Sequence, residues 1–217
     1  MPSRIGVMGG TFDPIHLGHL RVAEEAVEML SLDALLFIPA GSPPHKSGKG
    51  TLSFEHRWRM LQLALGDHPR FRFSDLEWRI PGKSYTVLTL QALHREIPDE
   101  TELFFLVGLD AFLELDTWYH FKELFKLASI VALRRPGYSE HEIAIFLAGR
   151  VSPLYTMDAD ADYFRHPELL PVHYLRNTHL EISSTRIRRL VAEGRSIRYL
   201  VQDEVMSYIR EKSLYRD

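Results

Sequence analysis

The 217-residue chain is 45% hydrophobic and 25% charged, which is enough apolar material for the core of one ordinary domain and excludes a disordered chain. A net charge of -3 leaves no basic excess, so nothing in the balance supports general nucleic-acid binding or an anionic membrane as partner. Without cysteine there is no disulfide, thiolate metal site or thiol nucleophile. With neither a leader nor an apolar run near the ~20 residues that span a bilayer, we expect a cytoplasmic protein.

The first element is a short apolar run, Ile5 to Met8, of the kind buried on both faces of a sheet. Gly9-Gly10-Thr11-Phe12-Asp13-Pro14 follows and leads through Ile15-His16-Leu17-Gly18-His19 into a helix over about 17–30, with Leu20, Ala23, Ala26, Val27 and Leu30 at helical spacing. Paired glycines allow a sharp turn and a close approach of backbone to ligand. The unbonded N–H groups of the helix's first turn, reinforced by its dipole, favour an anion there. His16 and His19 lie three residues apart on one face, and Gly18 puts no side chain over them. Leu35 to Pro39 is a second buried strand. Strand, helix and strand joined this tightly form a right-handed parallel unit whose ligands gather at the strand C-termini. Ala40 to Lys46 falls at that end. It is not a P-loop, because Pro43 stands where that motif needs glycine ahead of Lys49.

A helix over 53–65 has Trp58, Leu61, Ala64 and Leu65 on its apolar face, with Arg57 and Arg59 read as solvated surface. Phe71 to Ser74 is a third strand and Asp75 to Pro81 a loop. The next helix opens with Ser84 as its N-cap and ends before Ile97-Pro98, which leaves the N–H groups of Tyr85 and Thr86 for an anion. Glu102 to Gly108 is the clearest later strand, closing on Gly108-Leu109-Asp110, and Ala128 to Leu133 is a fifth, closing on Arg134-Arg135-Pro136-Gly137-Tyr138. An amphipathic stretch spans 140–147. Asp158 to Asp162 reads as a solvated loop, since an EF-hand would need glycine and glutamate where Tyr163 and Leu169 stand. His141-Glu142 is no zinc motif, because Ile145 replaces the second histidine. After a strand at 171–174, Ile182-Ser183-Ser184-Thr185-Arg186-Ile187-Arg188-Arg189 opens a helix. Ser183 can cap it, its first N–H groups and hydroxyls can hold a phosphate, and Arg186 or Arg188 adds charge-assisted hydrogen bonds. A last helix over about 199–212 reads as structural.

His16-Leu17-Gly18-His19 resembles the H-x-G-H signature of the nucleotidyltransferase superfamily. The longer Gly9 to His19 stretch is similar to the opening of the bacterial nicotinate-mononucleotide adenylyltransferases, with phosphopantetheine adenylyltransferases and cytidylyltransferases as more distant relatives. This resemblance covers motifs from residue 5 to residue 189. It implies Gly9, Gly10, Thr11 and Phe12 against ATP, and Lys46 of Pro43-Pro44-His45-Lys46 as a basic residue reaching the triphosphate or the mononucleotide phosphate. Ser84-Tyr85-Thr86 resembles the segment that grips the nicotinate ring and carboxylate, and Leu115 to Tyr119 one whose tryptophan, here Trp118 beside Tyr119, stacks on that ring. Gly108 and Asp110 match a G-x-D motif that meets nucleotide or ribose or fixes a neighbouring helix. Ala111 replaces the serine many relatives carry next. Arg135 matches the arginine of an R-P-G-Y segment, a phosphate or adenine-side contact. Ile182, Ser183, Ser184 and Thr185 match the I-S-S-T-x-I-R motif, whose arginine is Arg188.

The resemblance and the βαβ opening together imply a single α/β domain over 1–217: a doubly wound, Rossmann-like parallel sheet with helices on both faces and a C-terminal helical part at about 183–212. No serine nucleophile with its base and no paired carboxylates are evident. Nucleotidyl transfer needs neither, because a substrate phosphate is already a nucleophile and catalysis can rest on positioning and charge stabilisation. His16, His19, Lys46 and Arg188 are the expected catalytic set. ATP and nicotinate mononucleotide are the expected partners, with Mg²⁺ bound through ATP phosphates rather than by a protein cage. No nucleic acid or membrane partner is expected, and a homo-oligomer is left open. A second reading takes another acceptor such as phosphopantetheine, against which Tyr85, Thr86 and Trp118 stand. A third is a nucleotide sensor without turnover, against which His16 and His19 stand.

Overall fold

The computed structural model describes residues 3–42, 51–66, 68–158 and 162–216. Lys46, with Pro43, Pro44 and His45, lies outside the described residues.

Runs of Val, Ile, Leu and Phe between turn residues make the strands β1 (Arg4–Gly10), β2 (Ala34–Pro39), β3 (Phe71–Phe73), β4 (Glu102–Gly108), β5 (Ser129–Leu133) and β8 (Val172–Leu175). They pair in parallel in the order β3-β2-β1-β4-β5-β8. β6 (Thr156–Met157) and β7 (Tyr163–Arg165) continue the sheet antiparallel beyond β8. The chain around Asp158 to Asp162, expected to be a solvated loop, is thus flanked by two short antiparallel strands, of which β6 is the edge of the sheet.

Alternate residues of the parallel strands feed two cores, as the period of two requires. Met8, Phe37, Phe104, Leu106, Val131 and Leu133 pack against α1 (Leu17–Met29), α2 (Phe54–Leu65), α8 (Ser184–Ala192) and α9 (Asp203–Glu211). Val7, Ile38, Leu103, Phe105, Val107 and Ala132 face α3 (Leu76–Arg79), α4 (Thr86–Leu93), α5 (Leu109–Phe112), α6 (Phe121–Leu127) and α7 (Glu140–Phe146). The sheet is therefore doubly wound, as expected. Its order reverses between β1 and β4, the switch point where the C-terminal ends of two strands diverge and leave a crevice.

Three expectations need correction. The segment 75–81 contains a helical turn, α3, whose Leu76 is buried in the second core. Arg57 is not solvated: it is 2% exposed, with Nε donating to the Leu52 carbonyl at 3.1 Å and a terminal nitrogen to the Thr11 carbonyl at 3.0 Å. The final helix begins at Asp203, four residues later than its apolar pattern suggests. Among the described residues no helix is long and apolar enough to cross a membrane.

Candidate active site

A cavity of about 950 Å³ opens at the switch point. Gly9, Gly10 and Thr11 form its floor at the end of β1, and His16 and His19 of the α1 start stand beside them. Gly9 and Gly10 lie in the strand rather than in the turn, and neither has positive φ; the left-handed residue of the loop is Phe12, at φ 50°. What the glycines supply is space. A Cβ on Gly9 would meet nothing within 4 Å, whereas one on Gly10 would press on the Phe12 ring at 3.1 Å. Phe12 is buried and does not line the cavity; its ring meets the His19 ring edge-on, with centroids 5.2 Å apart.

The two imidazoles stack, centroids 3.7 Å apart and planes 19° from parallel. Gly18 makes this possible, because a Cβ there would lie 3.1 Å from His16 Nδ1. The His16 backbone N–H donates to His19 Nδ1 at 3.3 Å, which makes Nδ1 an acceptor and leaves Nε2–H as the donor of neutral His19. Of the first-turn amides, Leu17 N–H is occupied by the Leu200 carbonyl at 2.9 Å, while Gly18 N–H has no partner among the described residues. Buried His16 Nδ1 likewise lacks a partner. Burial, with help from Arg135, pulls the His16 pKa from 6.5 to about 4. Burial, then His16 and Arg135, holds His19 well below 6.5. Both rings are therefore neutral at pH 7 and become better partners when an anion offsets the desolvation.

That arrangement has a pH signature. His173, behind the sheet against Phe104 and Tyr163, is also lowered to about 4 by burial and by Arg4. As pH falls from 6.5 towards 4 the unfolded chain takes up protons at these histidines and the folded one does not, so stability drops across that window. Tm should fall between pH 6.5 and 5, above the range where most carboxylates titrate; a flat Tm there would contradict the buried neutral rings.

The far wall comes from α4, the segment after β4 and the 3₁₀ turn Leu115–Thr117. Tyr85, Thr86, Gly108, Trp118, Tyr119 and Arg135 all line the cavity. Tyr85, not Ser84, is the N-cap of α4. Ser84 is spent elsewhere: its hydroxyl accepts from the Ser42 N–H at 3.0 Å and also engages Glu77. The displacement by one residue leaves Thr86 and Val87 N–H groups without partners among the described residues. Tyr85 stacks on Tyr119 at 4.6 Å, and the Trp118 ring meets Phe105 at 6.3 Å with its planes 64° apart. Asp110 does not line the cavity but accepts from Arg135 Nε at 3.3 Å across its rim.

On the third side Ile182, Ser183 and Ser184 line the cavity at the start of α8. Ser183 is the cap, its Oγ accepting from Arg186 N–H at 3.2 Å, and Ser184 donates to the Pro14 carbonyl at 2.9 Å. Thr185 and Arg188 do not line it. Arg188 donates to the Asp13 carbonyl at 2.7 Å and to Thr185 Oγ1 at 3.3 Å. Further lining residues escaped the motif reading, among them Glu77, Lys83, Glu114, Thr178 and His179. Glu77, whose carboxyl is raised by burial, accepts from the Thr89 hydroxyl at 2.7 Å. Thr178 is fixed by Glu25, which accepts its N–H at 2.6 Å.

Comparison with known proteins agrees with this geometry. The cytidylyltransferase-like family model matches residues 7–190. A protein of Geobacter metallireducens named "Probable nicotinate-nucleotide adenylyltransferase" is 45% identical over 98% of each chain, and one of the same name from Trichlorobacter lovleyi is 46% identical over 98% of this chain and 99% of its own. The chain belongs to this family. In structure it is similar to the Plasmodium falciparum nicotinic acid mononucleotide adenylyltransferase complexed with NaAD, with a TM-score of 0.73 over 98% of this chain and 97% of that one at 17% identity. At that identity the likeness speaks for the shared fold. The identities above 40% along the whole chain carry the family membership.

Proposed function

We propose that this nucleotidyltransferase transfers AMP from ATP to nicotinate mononucleotide, giving deamido-NAD and pyrophosphate. The observation that carries the proposal is the cavity itself, in which a two-histidine phosphate corner and an aromatic, N–H-lined pocket face each other across the switch point. The first suits a triphosphate; the second suits a flat, anionic ring. Both ends belong to one continuous unit over residues 1–217, with the helical part at 183–212 closing the phosphate side.

In this reading ATP lies over Gly9, Gly10 and Thr11, with its phosphates towards Gly18 N–H, His16, His19 and the α8 start. The acceptor phosphate attacks the α-phosphorus of ATP in line, forming the new P–O bond as the bond to pyrophosphate breaks. No protein group needs to take a proton from an ionised phosphate. His19 Nε2–H and the neighbouring amides stabilise the charge that grows as the bond breaks. Arg135 adds positive charge at the rim, and the family resemblance makes Lys46 a further basic residue for the phosphates. A Mg²⁺ ion bound with ATP would supply charge neutralisation on the phosphate side. Among the described residues no three His, Cys, Asp or Glu side chains gather to hold a metal. The soluble partners ATP and nicotinate mononucleotide suit a cytoplasmic enzyme.

Pyrophosphate release measured with ATP and a panel of acceptors tests the proposal. Release with nicotinate mononucleotide is expected; release only with phosphopantetheine, or none with any acceptor, overturns it. Arg188→Ala should raise the KM for ATP about tenfold or more, because the Asp13 carbonyl it holds at 2.7 Å is released and the loop that leads into His16 and His19 loses an anchor. An ATP titration that matches the parent would remove Arg188 from the phosphate side.

A further inference from the structure

The segment between β1 and α1 is held from outside at almost every turn. Arg57 holds the Thr11 carbonyl, Arg188 the Asp13 carbonyl at 2.7 Å, Ser184 the Pro14 carbonyl at 2.9 Å, and the Leu200 carbonyl receives Leu17 N–H at 2.9 Å. The remaining charged group is the Asp13 carboxylate, 2% exposed. It accepts the Tyr215 hydroxyl at 2.7 Å, a bond across 202 residues of sequence, and among the described residues its one other hydrogen-bond donor is Leu52 N–H, at a long 3.4 Å. A terminal nitrogen of Arg188 lies 4.0 Å away.

The chain end is built to deliver that hydroxyl. After α9, Leu214 is buried in the core, with its N–H on the Ile209 carbonyl at 3.0 Å. Tyr215 then takes left-handed backbone, φ 62°, which a side-chain-bearing residue adopts only where something holds it. Burial and the neighbouring Asp13 raise the phenol pKa, so it stays a donor.

We propose that Tyr215 is a positioning residue for the phosphate loop: its hydroxyl fixes Asp13 and through it the Gly9 to His19 segment in the geometry that adenylyl transfer requires. This rests on the reaction proposed above. Without the hydroxyl, the buried carboxylate keeps, among the described residues, the long Leu52 contact and the 4.0 Å approach of Arg188, and the turn that leads into His16 is free to shift. A displacement well under 1 Å would be felt, since misplacement of about 1 Å costs roughly 10² in rate.

The test compares Tyr215→Phe with Tyr208→Phe. Tyr208 lies on α9 and its hydroxyl bonds His56 Nδ1 at 2.9 Å, so its loss removes a similar link between the chain end and α2 without touching the loop. Both variants are assayed below their Tm. Tyr215→Phe should lower kcat/KM for ATP about tenfold, leave the KM for the acceptor unchanged, and speed amide hydrogen exchange in residues 9–19. Tyr208→Phe should match the parent in all three. Parental kcat/KM and parental exchange in Tyr215→Phe would overturn the proposal, as would an equal loss in Tyr208→Phe. If the parent itself releases no pyrophosphate, the reaction is misread, and the exchange measurement still decides whether Tyr215 holds the loop.

Discussion

His19→Ala should lower kcat by about 10² to 10³ while leaving the affinity for ATP close to that of the parent. The reason lies in how the ring is held. Its Nδ1 is committed to the His16 N–H at 3.3 Å, its faces and edges are fixed by the His16 stack and by Phe12, and burial keeps it neutral. One donor, Nε2–H, is left in a fixed direction. Such a group gains most when charge on phosphate oxygen rises in the transition state, and less in the ground state, where amides of the loop can already share the load. Single-turnover kinetics with an ATP titration on the folded variant decides the matter. Turnover within a few-fold of the parent would remove His19 from the chemistry, and a loss confined to ATP affinity would recast it as a binding group.

His16 gives a useful contrast. It is the N-cap of α1, its backbone orients His19, and its own Nδ1 is buried without a partner. Its removal would disturb the helix start and the stack together, so its effect would mix structure with chemistry. His19 is the cleaner probe.

The doubly wound sheet and the positions of its ligand loops were legible because both follow from local pattern: buried apolar runs, a short βαβ connection, glycines at the strand end and a serine cap at 183. What the pattern hid is the set of charged residues that turn inward. Arg57 occupies a position of the stripe Phe54, Leu61 and Ala64, and Glu25 follows Val22 by three residues on the buried side of α1. A charge within an apolar stripe was therefore the available signal, and reading Arg57 as solvated surface overlooked it. Ser84 failed for a different reason. A serine one residue before a helix looks like a cap from sequence, but the Ser42 N–H and Glu77, brought near only by the fold, compete for its hydroxyl and shift the cap to Tyr85. The Tyr215 to Asp13 bond had no sequence signal at all, since nothing local relates the third-last residue to the thirteenth.

The acceptor should be chosen by charge at its ring substituent, with nicotinate mononucleotide preferred over its amide by 10² or more in kcat/KM, on the scale by which sites with unpaired polar groups reject close analogues. The shift of the α4 cap strengthens this expectation. With Tyr85 as cap, Thr86 and Val87 N–H groups open the helix without partners among the described residues, and the positive end of its dipole lies at the cavity wall that also holds Lys83. A carboxylate accepts from such donors with both oxygens; an amide turns its own N–H towards them and leaves groups unpaired. Glu77 lies in the same wall and would repel an acid if it were free, but its carboxyl is engaged by Thr89 and Ser84. If Trp118 stacks on the acceptor ring as proposed, it would present the same face to acid and amide, so stacking should not discriminate. Trp118→Ala should accordingly weaken both acceptors by a similar factor and leave their ratio within about two-fold of the parent's. Steady-state kinetics with the two acceptors in parent and variant measure both quantities. Equal kcat/KM for acid and amide in the parent would refute a carboxylate site at the α4 start, and a ratio that collapses only in Trp118→Ala would move the discrimination from the helix end to the tryptophan.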